Sequence, residues 1–142
     1  MSTPYRISSD REDVDTAVVH DYLSNHSYWA AGIPLDVVAR SIEHSICFSA
    51  FDGEEQVGFA RVITDEATYG YLADVFVLES HRGLGLATLL MESVLSHPSL
   101  KALRRWQLVT RDAHPFYARF GFHASENPER HMELVIKNAY VS

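Results

Sequence analysis

Val75-Phe76-Val77-Leu78-Glu79-Ser80-His81-Arg82-Gly83-Leu84-Gly85-Leu86-Ala87 is the stretch on which the fold turns: a strand runs into a glycine turn, and the turn opens a helix. The apolar run from Tyr71 to Leu78 holds β-branched and aromatic residues and one charge, Asp74, as befits a strand covered on both faces. Past the glycines the period changes. Ala87, Leu90, Met91, Val94 and Leu95 recur at helical spacing and predict an amphipathic helix that ends near Ser96-His97-Pro98. Gly83 and Gly85 have no β-carbon to keep a ligand from the backbone. The first amides of the helix point out of such a turn together, reinforced by the helix dipole, which makes an anion site, most often for phosphate. It is not a nucleotide-binding loop, because no Gly-Lys-Ser/Thr closes it. A dinucleotide fingerprint would need a third glycine and a distal acid.

The same residues, Arg82-x-x-Gly85-x-Ala87, have the form Gln/Arg-x-x-Gly-x-Gly/Ala and follow the strand Asp74-Val75-Phe76-Val77-Leu78. Downstream stand Ala113-His114-Pro115-Phe116-Tyr117 and then Gly121-Phe122. In this order and at this distance the two segments resemble the acyl-coenzyme A signature and the Ala-x-x-x-Tyr segment of the GNAT superfamily of N-acetyltransferases. The resemblance covers Tyr71 to Phe122, and the chain up to Thr68 is similar to the family only in layout. Thr110 stands where the family often has an asparagine, three residues before Ala113. The resemblance implies an α/β (α+β) fold, a mixed, mostly antiparallel twisted sheet flanked by helices around a central β-α-β unit that binds acyl-coenzyme A.

The remaining signals fit one domain over residues 1–142, long enough to build a core without disulfides or metals. Tyr5-Arg6-Ile7 reads as a first strand and Ser9-Asp10-Arg11-Glu12 as a capping box. A helix should follow, with Val14, Ala17, Val18 and Tyr22 on its apolar face. Pro34 suits the first turn of a second helix bearing Leu35, Val38 and Ile42. Strands are expected from Ser45 to Phe51 and from Gln56 to Ile63, joined across Asp52-Gly53-Glu54-Glu55. Trp106 to Thr110 should return parallel to the central strand, making the long helix a βαβ crossover. Asp112 is placed to cap a short helix that Gly121 ends, and Phe122 and Met132-Glu133-Leu134-Val135-Ile136 look like final strands.

A formal charge of −7 argues against a nonspecific nucleic-acid or anionic-membrane binder and suits a cationic amine. The cations that could meet a coenzyme A gather in the second half, as Arg82, Arg104, Arg105, Arg111 and Arg119. One cysteine, Cys47 within Ile46-Cys47-Phe48, reads as a buried strand thiol and fits a reducing, cytoplasmic setting. None of the eight histidines has metal-ligand spacing, and no metal is expected. The expected partner is a small-molecule or peptide amine; a homodimer is allowed for.

Acyl transfer to an amine needs a seat for the diphosphate, a donor to the developing oxyanion, a base and an acid. Backbone amides of Gly83, Leu84, Gly85, Leu86, Ala87 and Thr88 are the candidates for the diphosphate, with Arg82 as the adjoining cation. In the family the strand splays at a bulge, so the resemblance assigns the pantetheine arm to the main chain of Phe76, Val77 and Leu78. An N–H near Val77 would polarise the thioester carbonyl. Asp74 is the candidate base, directly or through water; its plainer role is an ion pair with an arginine, and Glu79 is the alternative. Tyr117, the tyrosine of the motif, is the candidate acid for the departing thiolate. Tyr28 and Trp29, large aromatics in a loop, form a candidate acceptor wall or plug the core. His114 is a candidate substrate contact. These residues point to an acetyl-coenzyme A-dependent N-acetyltransferase. A noncatalytic acyl-coenzyme A sensor and a thioester hydrolase are the rival readings.

Overall fold

In the computed structural model, which describes residues 4–140, the chain divides into two compact units, one up to Leu108 and one from Val109. Strand β1 (Tyr5–Ser8) leads into a single 3-10 turn at Arg11–Asp13. The expected capping box opens no α-helix. Asp10 accepts from the Glu12 N–H and caps the 3-10 turn, whereas Asp15 accepts from Val18 N–H and begins α1 (Thr16–His26). Buried Gln56 fixes that start by accepting the Asp15 N–H at 2.7 Å through Oε1. The later start shifts the helix phase. Val19 and Leu23 become the buried stripe, with Val14 and Tyr22 packed beside them, and Ala17 is exposed.

Pro34 precedes α2 (Leu35–Glu43), which buries Val38 and Ile42 as its spacing predicts and leaves Leu35 exposed. The Arg11 guanidinium donates to the carbonyls of Ile42 and Ser45, satisfying acceptors at the end of this helix. Strands β2 (Ile46–Asp52), β3 (Glu55–Thr64) and β4 (Tyr69–Val77) form an antiparallel meander. After β4 come a 3-10 turn at Glu79–His81, helix α3 (Leu86–Ser96) and strand β5 (Arg105–Gln107), which lies parallel to β4. The sheet order is β1-β2-β3-β4-β5, the mixed, mostly antiparallel sheet flanked by helices that the sequence implies.

On one face of the sheet α1 and α2 pack against Cys47, Phe59 and Phe76. On the other lies α3, whose buried residues are Leu86, Leu90, Met91 and Val94; Leu86 takes the place expected of Ala87. Gly58 lets α3 approach, because a β-carbon there would sit 3.3 Å from Leu90 Cδ1 and 3.2 Å from Ala50 Cβ. Burial pushes the Cys47 thiol up to about 11, so it is a neutral core group.

The unit from Val109 holds α4 (His114–Ala118) and a 3-10 turn at Pro128–Arg130. Two expectations are corrected here. Asp112 does not cap α4; the hydroxyl of Thr110 accepts the Ala113 N–H at 3.0 Å instead. Nor are there strands at Phe122 or at 132–136 among the described residues, where Met132, Leu134, Val135 and Ile136 are exposed. Among the described residues no helix is long and apolar enough to cross a membrane.

Candidate active site

The strand β4 changes character half-way along. Phe59 stands opposite Phe76 and Arg61 opposite Ala73, so Asp74 and Val75 together face Ala60, a β-bulge. Asp74 occupies the left-handed region at φ 53. Few side chains tolerate that conformation; aspartate is one of them. Its carboxylate is pinned on both oxygens, Oδ1 by the Trp29 indole N–H at 2.8 Å and Oδ2 by Arg61 Nε at 2.8 Å. Arg61 in turn donates to Ser45 Oγ at 3.0 Å. The bulge is thereby tied to β3 and to the loop between α1 and α2.

On its other side β4 is paired with β5 only from Tyr69 to Tyr71, and among the described residues no strand pairs with that edge past Tyr71. The ladder says which groups face it. Leu78 N–H donates to the Val57 carbonyl at 2.8 Å, and bonded pairs alternate in an antiparallel ladder. Val77, opposite Gly58, therefore turns its N–H and C=O outward. Its carbonyl is taken there by Arg82 Nε at 3.0 Å, and its N–H faces the open edge.

Arg82 also donates through Nη2 to the Tyr22 hydroxyl at 3.0 Å, and the Tyr22 ring stacks on Phe76 with centroids 4.1 Å apart. Thus the arginine of the motif braces the glycine turn against β4 and α1. Gly83 and Gly85 lie at φ 79 and φ 80, and β-carbons built on them would project into open space. Gly85 is the N-cap of α3 and supplies no side-chain cap, so the leading amides of an eleven-residue helix face an approachable turn. These features fit the diphosphate and arm of an acyl-coenzyme A: uncapped amides for the anion, an open strand edge for the amide-bearing arm.

Tyr28 and Trp29 are 53% and 42% exposed, so neither plugs the core; their rings meet edge to face at 5.1 Å. His114 and Tyr117 belong to the C-terminal unit, on α4. There the Tyr117 ring meets Phe116 at 5.1 Å and Phe122 at 6.0 Å.

With this geometry in view, comparison with known proteins decides the family. A family model described as the acetyltransferase (GNAT) domain matches residues 43–124, more than half of the chain. The chain belongs to the GNAT acetyltransferase family. A Gibberella zeae protein named as an acetyltransferase is 31% identical over 131 residues, 76% of this chain and 72% of its own. A crystal structure from Xanthomonas campestris pv. campestris, assigned to the GNAT family as an acetyltransferase, is 45% identical with a TM-score of 0.96, over 100% of this chain and 99% of that one. A Clostridium acetobutylicum protein named as an acetyltransferase and crystallised with acetyl-CoA shares the fold at a TM-score of 0.64 and 18% identity, over 92% of this chain and 94% of that one.

Two partners of the candidate site residues escaped the sequence reading: Arg61, bonded to Asp74, and Tyr22, bonded to Arg82. For Arg61 a signal existed. It is a charge inside the apolar run Val57-Gly58-Phe59-Ala60-Arg61-Val62-Ile63, and a charge buried there needs a counter-charge. Tyr22 read only as part of an apolar face.

Proposed function

We propose that this GNAT chain is an acetyl-coenzyme A-dependent N-acetyltransferase that acts by direct transfer to a primary amine. The observation that carries the reading is the outward N–H of Val77 on the open edge of β4, followed at once by the glycine turn and uncapped start of α3. Acetyl-coenzyme A supplies the activated acetyl group when bound; the crystal structure of the distant Clostridium relative with acetyl-CoA supports that choice of donor.

In this reading the amides from Gly83 to Thr88 hold the diphosphate and the main chain of Phe76, Val77 and Leu78 holds the arm. The Val77 N–H donates to the thioester carbonyl oxygen as negative charge develops there, an interaction worth about 3–4 kcal/mol of barrier. Tyr28 and Trp29 wall the approach of the acceptor, with His114 as a further contact. Asp74 takes the proton lost by the amine through a water, since each of its oxygens keeps a lone pair beyond the bonds from Trp29 and Arg61. Tyr117 gives its phenolic proton to the departing sulfur, a role that rests on its place in the Ala-x-x-x-Tyr segment. The acidic balance of the chain, −7, favours a cationic acceptor, small or peptidic. The lone, buried Cys47 suits a cytoplasmic setting.

The engagement of both Asp74 oxygens favours a second reading, a noncatalytic acyl-coenzyme A-binding module. One experiment separates them: the purified protein is incubated with acetyl-coenzyme A and a library of amines, and free thiol and acetylated product are followed. Thiol release that depends on an amine supports the enzyme. Binding without release across the library supports the module, and release with no amine present marks a hydrolase.

A further inference from the structure

Tyr22, on α1, holds the splayed end of β4 in two ways. Its ring lies on that of Phe76, with 4.1 Å between centroids and 9° between planes, and its hydroxyl accepts from Arg82 Nη2 at 3.0 Å. Arg82 passes the second contact on, because its Nε donates to the Val77 carbonyl at 3.0 Å. Phe76 and Val77 are the residues that follow the bulge at Asp74 and Val75, where the ladder with β3 is disturbed and the chain needs fixing from elsewhere. One side chain therefore steadies both.

The consequence reaches the main chain. The peptide joining Val77 to Leu78 is held at each end, its carbonyl by Arg82 and its N–H by the Val57 carbonyl at 2.8 Å. The peptide before it carries the outward N–H of Val77 and is flanked by Phe76, whose buried ring rests against Tyr22. Since each peptide is a rigid plane, these two neighbours set the direction of that N–H. The turn at Glu79–His81, closed by His81 N–H on the Leu78 carbonyl at 2.9 Å, brings Arg82 back to Val77. A planar guanidinium can bridge a strand carbonyl and a helix hydroxyl at once; the point charge of a lysine has no such fork.

We infer that Tyr22 is a positioning residue for acyl transfer: through Arg82 and Phe76 it fixes the direction in which the Val77 N–H meets the thioester oxygen. A donor of this kind lowers the barrier only if it is aimed before charge develops. The inference rests on the transfer proposed above and adds to it a residue outside both motif segments.

The test compares Tyr22→Phe, Arg82→Lys and the double variant with the wild type, reading amine-dependent thiol release and, by calorimetry, Kd for acetyl-coenzyme A. Tyr22→Phe keeps the stack on Phe76 and loses the hydroxyl. Its kcat should fall about tenfold, the lower end for losing a hydrogen bond to a charged group, with Kd little changed. Arg82→Lys should lose at least as much, and adding Tyr22→Phe to it should change nothing further, because the link is already cut. A tyrosine that merely stabilised the fold would lower Tm and leave the kcat of the folded protein intact. Losses that multiply in the double variant, or a Tyr22→Phe kcat equal to that of an active wild type, overturn the inference and leave the reaction standing. A wild type that releases no thiol with any amine overturns both. Should Tyr22→Phe fail to fold, as judged by its helical ellipticity, Arg82→Lys breaks the same link from the turn, and an unchanged kcat there overturns the inference.

Discussion

Arg61 Nε lies 2.8 Å from Asp74 Oδ2, with the two side chains only 15% and 10% exposed, and this ion pair spans the bulge that opens β4. Asp74 therefore has a structural duty beside any chemical one. The same contact that holds it at φ 53 also occupies one of its oxygens.

Removing the carboxylate takes its counter-charge from the nearly buried Arg61 guanidinium and leaves it the neutral Ser45 hydroxyl. Asp74→Ala should cost about 3 kcal/mol, the lower end for breaking a buried pair because a tenth or more of each side chain still meets water. Urea unfolding of the two proteins measures it. A loss under 1 kcal/mol, as for exposed pairs, would show that water shields the arginine.

Asp74→Asn keeps the shape and isolates the chemistry. Turnover should fall most at low pH, where few acceptor amines are already neutral, and recover as pH rises. The pH dependence of kcat for both proteins decides the matter. A variant profile parallel to the wild type at similar activity confines Asp74 to holding the bulge.

Gly85→Val places a branched side chain in the open space before α3, at a φ of 80 that L residues rarely adopt. If one charge-assisted bond to the diphosphate is lost, donor affinity should drop by about 2–3 kcal/mol, roughly 30- to 150-fold. Calorimetric titration with acetyl-coenzyme A reads this directly. An unchanged Kd would put the phosphates elsewhere.

Tyr117→Phe keeps the ring that packs against Phe116 and Phe122 and removes only the hydroxyl. Loss of a general acid should lower kcat by roughly 10²-fold, about 3 kcal/mol, with Kd for the donor and Tm little changed. Unfolding of the variant, or an untouched kcat when chemistry limits the rate, would make the phenol a packing group.

Burial holds the Cys47 thiol at about 11, above its ordinary 9.0, and this has a stability consequence with a definite sign. Because the folded state binds the proton more tightly, the contribution is complete below pH 9.0 and is lost as pH rises toward about 11. Wild type should lose Tm across this window more steeply than Cys47→Ala, as differential scanning fluorimetry would show. Equal slopes would mean that other groups set the alkaline limit.

The elements of the first unit were legible because their signals are local. Gly53 marks the hairpin, Val38 and Ile42 mark one face of α2, and Gly83 and Gly85 mark the turn before α3. Where two local signals competed, the sequence misplaced the outcome. Ser9-Asp10-Arg11-Glu12 and Asp15 both offer caps, and the buried Gln56 side chain, forty-one residues along the chain from Asp15, chose between them. Asp112 likewise offered a cap to α4, but that helix has no side-chain cap, and Thr110 accepts the Ala113 N–H just before it.

The strand, glycine turn and helix start of the candidate site were readable for the same reason, because the three are continuous in sequence. What the residues of the site do to one another was not. Arg61 with Asp74, Trp29 with Asp74 and Tyr22 with Arg82 are separated by 13, 45 and 60 residues, and only the register of β3 on β4 and the packing of α1 bring them together.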